Sequence, residues 1–116
     1  MAKDYQALTK DISQYMGELR KAVPDAMAGF SALAKGATQE GVLDKKTKEL
    51  IALAIGVAAR CDGCIGFHAK ACLELGATRE EIAETLALTI YMGGGPNLMY
   101  AADALRAYDQ FVEAQK

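Results

Sequence analysis

The stretch "RCDGCIGFHAKAC", Arg60 to Cys72, holds all three cysteines of the chain, Cys61, Cys64 and Cys72, and its only histidine, His68. Spacings of three and four residues align these four side chains along one stripe of a helix. Haem attachment needs a histidine directly after the second cysteine of a Cys-x-x-Cys, and Ile65 stands there instead. A single zinc ion is excluded for the whole set. At about 1.5 Å of rise per residue, Cys64 and Cys72 stand roughly 12 Å apart along a helix axis. Tetrahedral zinc holds its ligands at about 2.0–2.3 Å. Cys61, Cys64 and His68 could make a three-ligand site only with help from elsewhere, and the sequence holds no second Cys or His pair.

Cys72 reads best as a small buried thiol. The Cys61–Cys64 pair differs, because it flanks Asp62 and Gly63, a polar turn dipeptide. A turn there exposes the pair near the start of the following helix. Partial positive charge and unpaired N–H groups at a helix start stabilise a thiolate. Two cysteines three apart can close a short disulfide, one attacking and the other resolving. His68 follows Cys64 by four residues, within reach to move a proton. Asp62 works against this arrangement, since a nearby carboxylate disfavours a thiolate.

The elements around this segment read as helical nearly throughout, with no strand-like alternation. A first helix is predicted over Asp4 to Lys21, with Leu8, Ile12, Tyr15, Met16 and Leu19 on its apolar face. Pro24 opens a second helix, with Met27, Phe30, Leu33 and Ala34 apolar and Gly36 as its C-terminal cap. Asp44 caps a third, running to about Ala59. Its second half, "LIALAIGVAA", is apolar all round and is expected to be central and buried. A fourth runs to about Leu75, where Gly76 stops it. "TREE", Thr78 to Glu81, is a capping box for a fifth helix from Arg79 to Met92. "GGGP" ends that helix, and Asn97 is expected to cap a sixth carrying Leu98, Ala101, Ala102, Leu105, Tyr108 and Val112 on one stripe. A thioredoxin-like site needs a βαβ pattern around its Cys-x-x-Cys, and none is present. The expected fold is all-α, about six helices in one domain over residues 1–116.

Composition narrows the function further. The 116 residues carry a formal net charge of -2, with no basic run, which argues against nucleic-acid binding. The hydrophobic share of 52% rests on aliphatic residues, with no Trp and three Phe, and this excess points to apolar surface that another subunit could cover. The opening "MAKDYQALTKDIS" lacks the apolar core of a secretory signal, and the longest apolar run, Leu50 to Ala59, is too short to span a bilayer. A cytoplasmic protein is expected, where three cysteines serve as catalytic, metal-binding or buried thiols. Gly93 to Gly95 is not a phosphate loop, because no Lys-Ser or Lys-Thr follows. "IYMGGGPNLMY" reads as a helix–turn–helix corner packed in the core or at a subunit contact.

The segment from Glu49 to Pro96 resembles the AhpD-like alkylhydroperoxidase branch of the carboxymuconolactone decarboxylase family. The matching motif is Glu, eleven residues, Cys, two residues, Cys, three residues, His, here Glu49, Cys61, Cys64 and His68. The resemblance extends over roughly Leu43 to Phe111. It implies an all-helical homotrimer or homohexamer with no cofactor and no metal. It implies a thiol-dependent peroxidase, or a disulfide oxidoreductase, acting on a hydroperoxide and recharged by a dithiol protein or small thiol. Carried over by position, Cys64 is the nucleophile that becomes a sulfenic acid, Cys61 condenses with it, and Glu49 and His68 relay the proton. On its residues alone Glu49 could equally be a solvated carboxylate beside Lys45, Lys46 and Lys48, although it abuts the apolar run at Leu50. Better-known peroxidases of the family are larger and carry a further histidine between the cysteines, where this chain has Asp62 and Gly63. The decarboxylase branch generally lacks the cysteine pair, which disfavours lactone decarboxylation. The alternative is an oligomeric helical protein, ligand-binding or decarboxylase-like, without redox activity.

Overall fold

The computed structural model describes residues 2–116. It is built of six helices: α1 (Tyr5–Ala22), α2 (Pro24–Thr38), α3 (Lys45–Ala58), α4 (Asp62–Glu74), α5 (Arg79–Gly93) and α6 (Gly95–Ala114). No strand occurs among the described residues. The fold is all-α, as the periodicity predicts.

Local chemistry explains most of the boundaries. The Asp4 side chain accepts from the Ala7 amide at 3.1 Å, and Asp44 accepts from Thr47 at 2.7 Å, each satisfying an orphan donor of a first turn. The capping box is complete: Thr78 Oγ1 accepts from the Glu81 amide, and the Glu81 carboxylate accepts from the Thr78 amide. Two ends differ from expectation. Gly36 does not stop α2, which continues to Thr38. The Lys48 ammonium reaches from α3 to the carbonyls of Ala37 and Gln39, at 3.0 and 2.8 Å, and takes the C-terminal capping role expected of Gly36. Asn97 does not cap α6 either. It lies inside the first turn, buried, and its amide donates to the Thr89 carbonyl at 2.8 Å, pinning α6 to α5. Gly94, at φ 69°, makes the junction.

Helix α4 lies at the centre, packed against α3, α6 and α1, while α5 closes against α6 and α3. The core holds Tyr5, Leu53, Val57, Ile65, Ala69, Cys72, Ile82, Ala104 and Phe111 among others. Many of these are small, so backbones approach closely. The Tyr108 hydroxyl donates to the Ala77 carbonyl at 2.7 Å and fixes the α4–α5 turn to α6.

The expectation that α3 is buried all round is corrected. Leu53, Gly56 and Val57 are buried, but Ile55 is 62% exposed and Ile51 also faces outward. On α1 the buried face is set by Tyr5 and Thr9, so Tyr15 and Leu19 point to solvent. The corner "IYMGGGPNLMY" is not core: Tyr91, Met92, Leu98 and Met99 are exposed. Helix α2 buries no residue, and Phe30 and Leu33 are each 67% exposed.

Candidate functional site

The cysteine pair sits where α3 hands the chain to α4. The turn is not at Asp62–Gly63, as the dipeptide suggested, but one step earlier. The Cys61 amide donates to the Gly56 carbonyl and the Arg60 amide to Val57, both at 3.0 Å, closing a Schellman motif. Arg60 takes the left-handed position at φ 55°, a place usually given to glycine. Asp62 and Gly63 then fall in the first turn of α4.

Cys61 is the N-cap of α4, and its sulfur accepts from the Cys64 amide at 3.2 Å. The two cysteines form a disulfide, their Cα atoms 5.2 Å apart, and both are half-buried. The pair therefore occupies the positive end of the central helix. A glycine on each flanking helix contact lets the backbones close around it. A Cβ on Gly56 of α3 would stand 3.0 Å from Cβ of Cys64, and one on Gly66 of α4 would stand 2.6 Å from Cγ2 of Thr9 on α1.

His68 follows Cys64 by one turn on the same face of α4. Its Nδ1 lies 2.6 Å from Oε2 of Glu49, which reaches across from α3 with a side chain only 13% exposed. With Nδ1–H donated to the carboxylate, a neutral ring presents Nε2 as a proton acceptor. The structure thus brings Glu49 and His68 together and sets His68 one turn below the disulfide.

Cys72 is the free thiol and is fully buried. Burial, then the Glu49 charge, pushes it up from 9.0 to about 12, so it stays a protonated core side chain. No group of three or more His, Cys, Asp or Glu side chains able to hold a metal ion occurs among the described residues.

One cluster beside the site was not foreseen from the sequence. The Lys3 ammonium donates to Asp62 at 2.9 Å and to Asp103 on α6 at 2.8 Å, and the Tyr5 hydroxyl donates to the same Asp62 oxygen at 3.1 Å. Asp103 first, then Asp62, holds the Lys3 ammonium above the ordinary lysine range. Burial, followed by the charges of Asp103 and Asp62, holds the Tyr5 phenol above its own. Of the residues gathered around Asp62, only Tyr5 carried a signal, since it extends the α1 stripe one turn back from Leu8.

An all-helical scaffold that presents a Cys-x-x-Cys at a helix start, with a Glu–His pair one turn away, defines a dithiol-bearing helical protein. The chain belongs to the carboxymuconolactone decarboxylase family, whose model matches residues 24–107. It is 45% identical over 109 residues to an uncharacterised protein of Cupriavidus necator, covering 94% of this chain and 96% of that one. The crystal structure of a carboxymuconolactone decarboxylase family protein from Legionella pneumophila, solved in its apo form, is similar with a TM-score of 0.91 and 56% identity, covering 92% of this chain and 96% of that one. A family member from Thermotoga maritima, for which a part in the antioxidative response has been suggested, is similar with a TM-score of 0.83 and 28% identity, covering 92% of both chains.

Proposed function

We propose that this chain is a thiol-dependent peroxidase of the alkylhydroperoxidase type. The observation that carries the reading is the conjunction of the Cys61–Cys64 disulfide at the α4 N-terminus with the Glu49–His68 pair one turn below it. In the reduced protein His68 takes the Cys64 proton, with Glu49 stabilising the imidazolium that forms. The Cys64 thiolate attacks the distal oxygen of a hydroperoxide, the O–O bond breaks, and the leaving alkoxide takes the proton back from His68 as an alcohol. The Cys61 sulfur then attacks the Cys64 sulfenic acid, the S–S bond forms and water leaves. A dithiol protein or small thiol returns the pair to its reduced form by exchange, as a reducing compartment such as the cytoplasm allows. Among the described residues no helix is long and apolar enough to cross a membrane.

The test is hydroperoxide consumption with a dithiol reductant by the full chain and by Cys64→Ser. Turnover is expected in the first and loss of it in the second; equal rates would refute the assignment. A homotrimer or homohexamer is part of the same reading, supported by the unburied α2 with Phe30 and Leu33 facing outward. A stable monomer in light scattering at micromolar concentration would refute that part.

A second reading has its own observation. An apolar groove of about 430 Å³ runs between α3 and α5, lined by Leu50, Ile51, Ile55, Leu88 and Met92. It fits a helical protein that binds an apolar ligand or partner and does no redox chemistry. Counting free thiols before and after mild peroxide separates the readings: reversible loss of two thiols favours the peroxidase, and no change favours the binder.

A further inference from the structure

Asp62 stands between the two cysteines in sequence and at the first position of the helix whose positive end serves the dithiol. An unpaired carboxylate there would oppose a thiolate twice. Its charge would repel the sulfur, and it would itself engage the helix terminus that otherwise favours the thiolate. The structure gives this carboxylate other partners. Lys3 and Tyr5 both donate to its Oδ1, at 2.9 and 3.1 Å. Lys3 also bridges to Asp103, and its ammonium lies 4.9 Å from the centroid of the Tyr100 ring. The segment that carries Lys3 is itself clamped. Gln110 accepts from the Tyr5 amide at 2.8 Å and donates to the Lys3 carbonyl at 2.7 Å. Lys3 is thereby delivered to Asp62 by the Gln110 side chain of α6, which grips the main chain on either side of Asp4.

We infer that Lys3 is a positioning residue for the dithiol: it engages Asp62 in an ion pair so that the carboxylate's charge does not bear on the Cys64 thiolate. The inference rests on the proposed use of Cys64 as a nucleophile. The charged and titratable groups facing this region are Lys3 from the N-terminal segment, Tyr5 from α1, and Asp103 from α6 with Arg106 behind it at 3.9 Å. Glu49 of α3 and His68 of α4 form the pair below the sulfurs, and Arg60 precedes Cys61 in the turn. Among these, Lys3 is the cation in contact with Asp62.

The test uses the full chain, reduced, with the rate of iodoacetamide alkylation at Cys64 followed against pH by mass spectrometry. Lys3→Met is expected to raise the alkylation midpoint by about half to one pH unit, the effect of one uncompensated charge at short range in a partly wetted site. Asp62→Asn is expected to lower it. The double variant returns it to the wild-type value, and Lys3→Arg leaves it there. An unmoved midpoint in Lys3→Met overturns the inference. So does a shift that persists in the double variant, which would make Lys3 a purely structural anchor of the N-terminal segment. The readout needs no peroxide, so it decides the role of Lys3 separately from whether the protein turns over hydroperoxides.

Discussion

Replacing Glu49 with Gln keeps the size of the side chain and removes its charge. In the structure its carboxylate accepts from His68 at 2.6 Å and is largely shielded from solvent. A hydrogen bond to a charged group contributes about 1.5–3 kcal/mol and a neutral one about 1 kcal/mol, so the substitution removes roughly 1–2 kcal/mol from the state in which His68 holds the proton. At about 1.4 kcal/mol per decade, the first oxidation of Cys64 should slow by roughly 5- to 30-fold. His68 is half-buried, which keeps the figure at the low end of what removing a general base costs. The assay is single-turnover mixing of pre-reduced protein with a hydroperoxide, following thiol loss. Because the two residues act as one unit, Glu49→Gln should add little in a His68→Ala background. A Glu49→Gln rate within a factor of about two of wild type would refute the relay, as would full additivity of the two losses. A circular dichroism melt of the variant guards against a trivial loss of fold.

Two further outcomes follow from the backbone and the core. Arg60→Gly should stabilise the protein by about 0.5–1 kcal/mol, since the left-handed position costs an L-residue about 1–2 kcal/mol and glycine's greater unfolded freedom returns part of that; a lower urea midpoint would contradict it. Burial favours the protonated Cys72 thiol in the folded state, with its value raised from 9.0 to about 12, so its stabilising effect is complete below pH 9.0 and is lost as pH rises towards 12. Unfolding midpoints should therefore fall over that window, and Cys72→Ala, although less stable at neutral pH, should show a shallower fall. An unchanged slope would show that other groups govern the alkaline limb.

What the sequence made legible was local chemistry. The capping box at Thr78–Glu81, the Asp44 cap and the cysteine spacing are each decided within one or two turns, and the structure realises all three. The contact between Glu49 and His68 spans nineteen residues, and only the family motif pointed to it. Boundaries set from a distance were not legible. The end of α2 depends on Lys48 of α3, and Asn97 is drawn inside α6 by the Thr89 carbonyl rather than left at its start. The hydrophobic run in α3 marks a helix with core on one side and outward-facing Ile51 and Ile55 on the other; composition cannot tell a buried face from one awaiting a partner.

Asp62 is where local reading misleads most. Judged by its neighbours in sequence it is a carboxylate placed against a thiolate, and the Asp62–Gly63 pair looks like a turn. In the folded chain the turn belongs to Ala59 and Arg60, and Asp62 joins the first turn of α4. Its partner Lys3 is fifty-nine residues away in sequence, and the second carboxylate on that ammonium, Asp103, is a hundred residues from it. No periodicity or motif encodes such a contact, because it depends on α1, α4 and α6 meeting at one end. That meeting in turn requires small residues: Gly66 admits Tyr5 and Thr9 of α1 against α4, and the fully buried Ala104 of α6 completes the core on that side. The electrostatics of the dithiol are thus set by packing between distant helices. A comparison of family members at the cysteine motif alone would miss the cation that offsets Asp62.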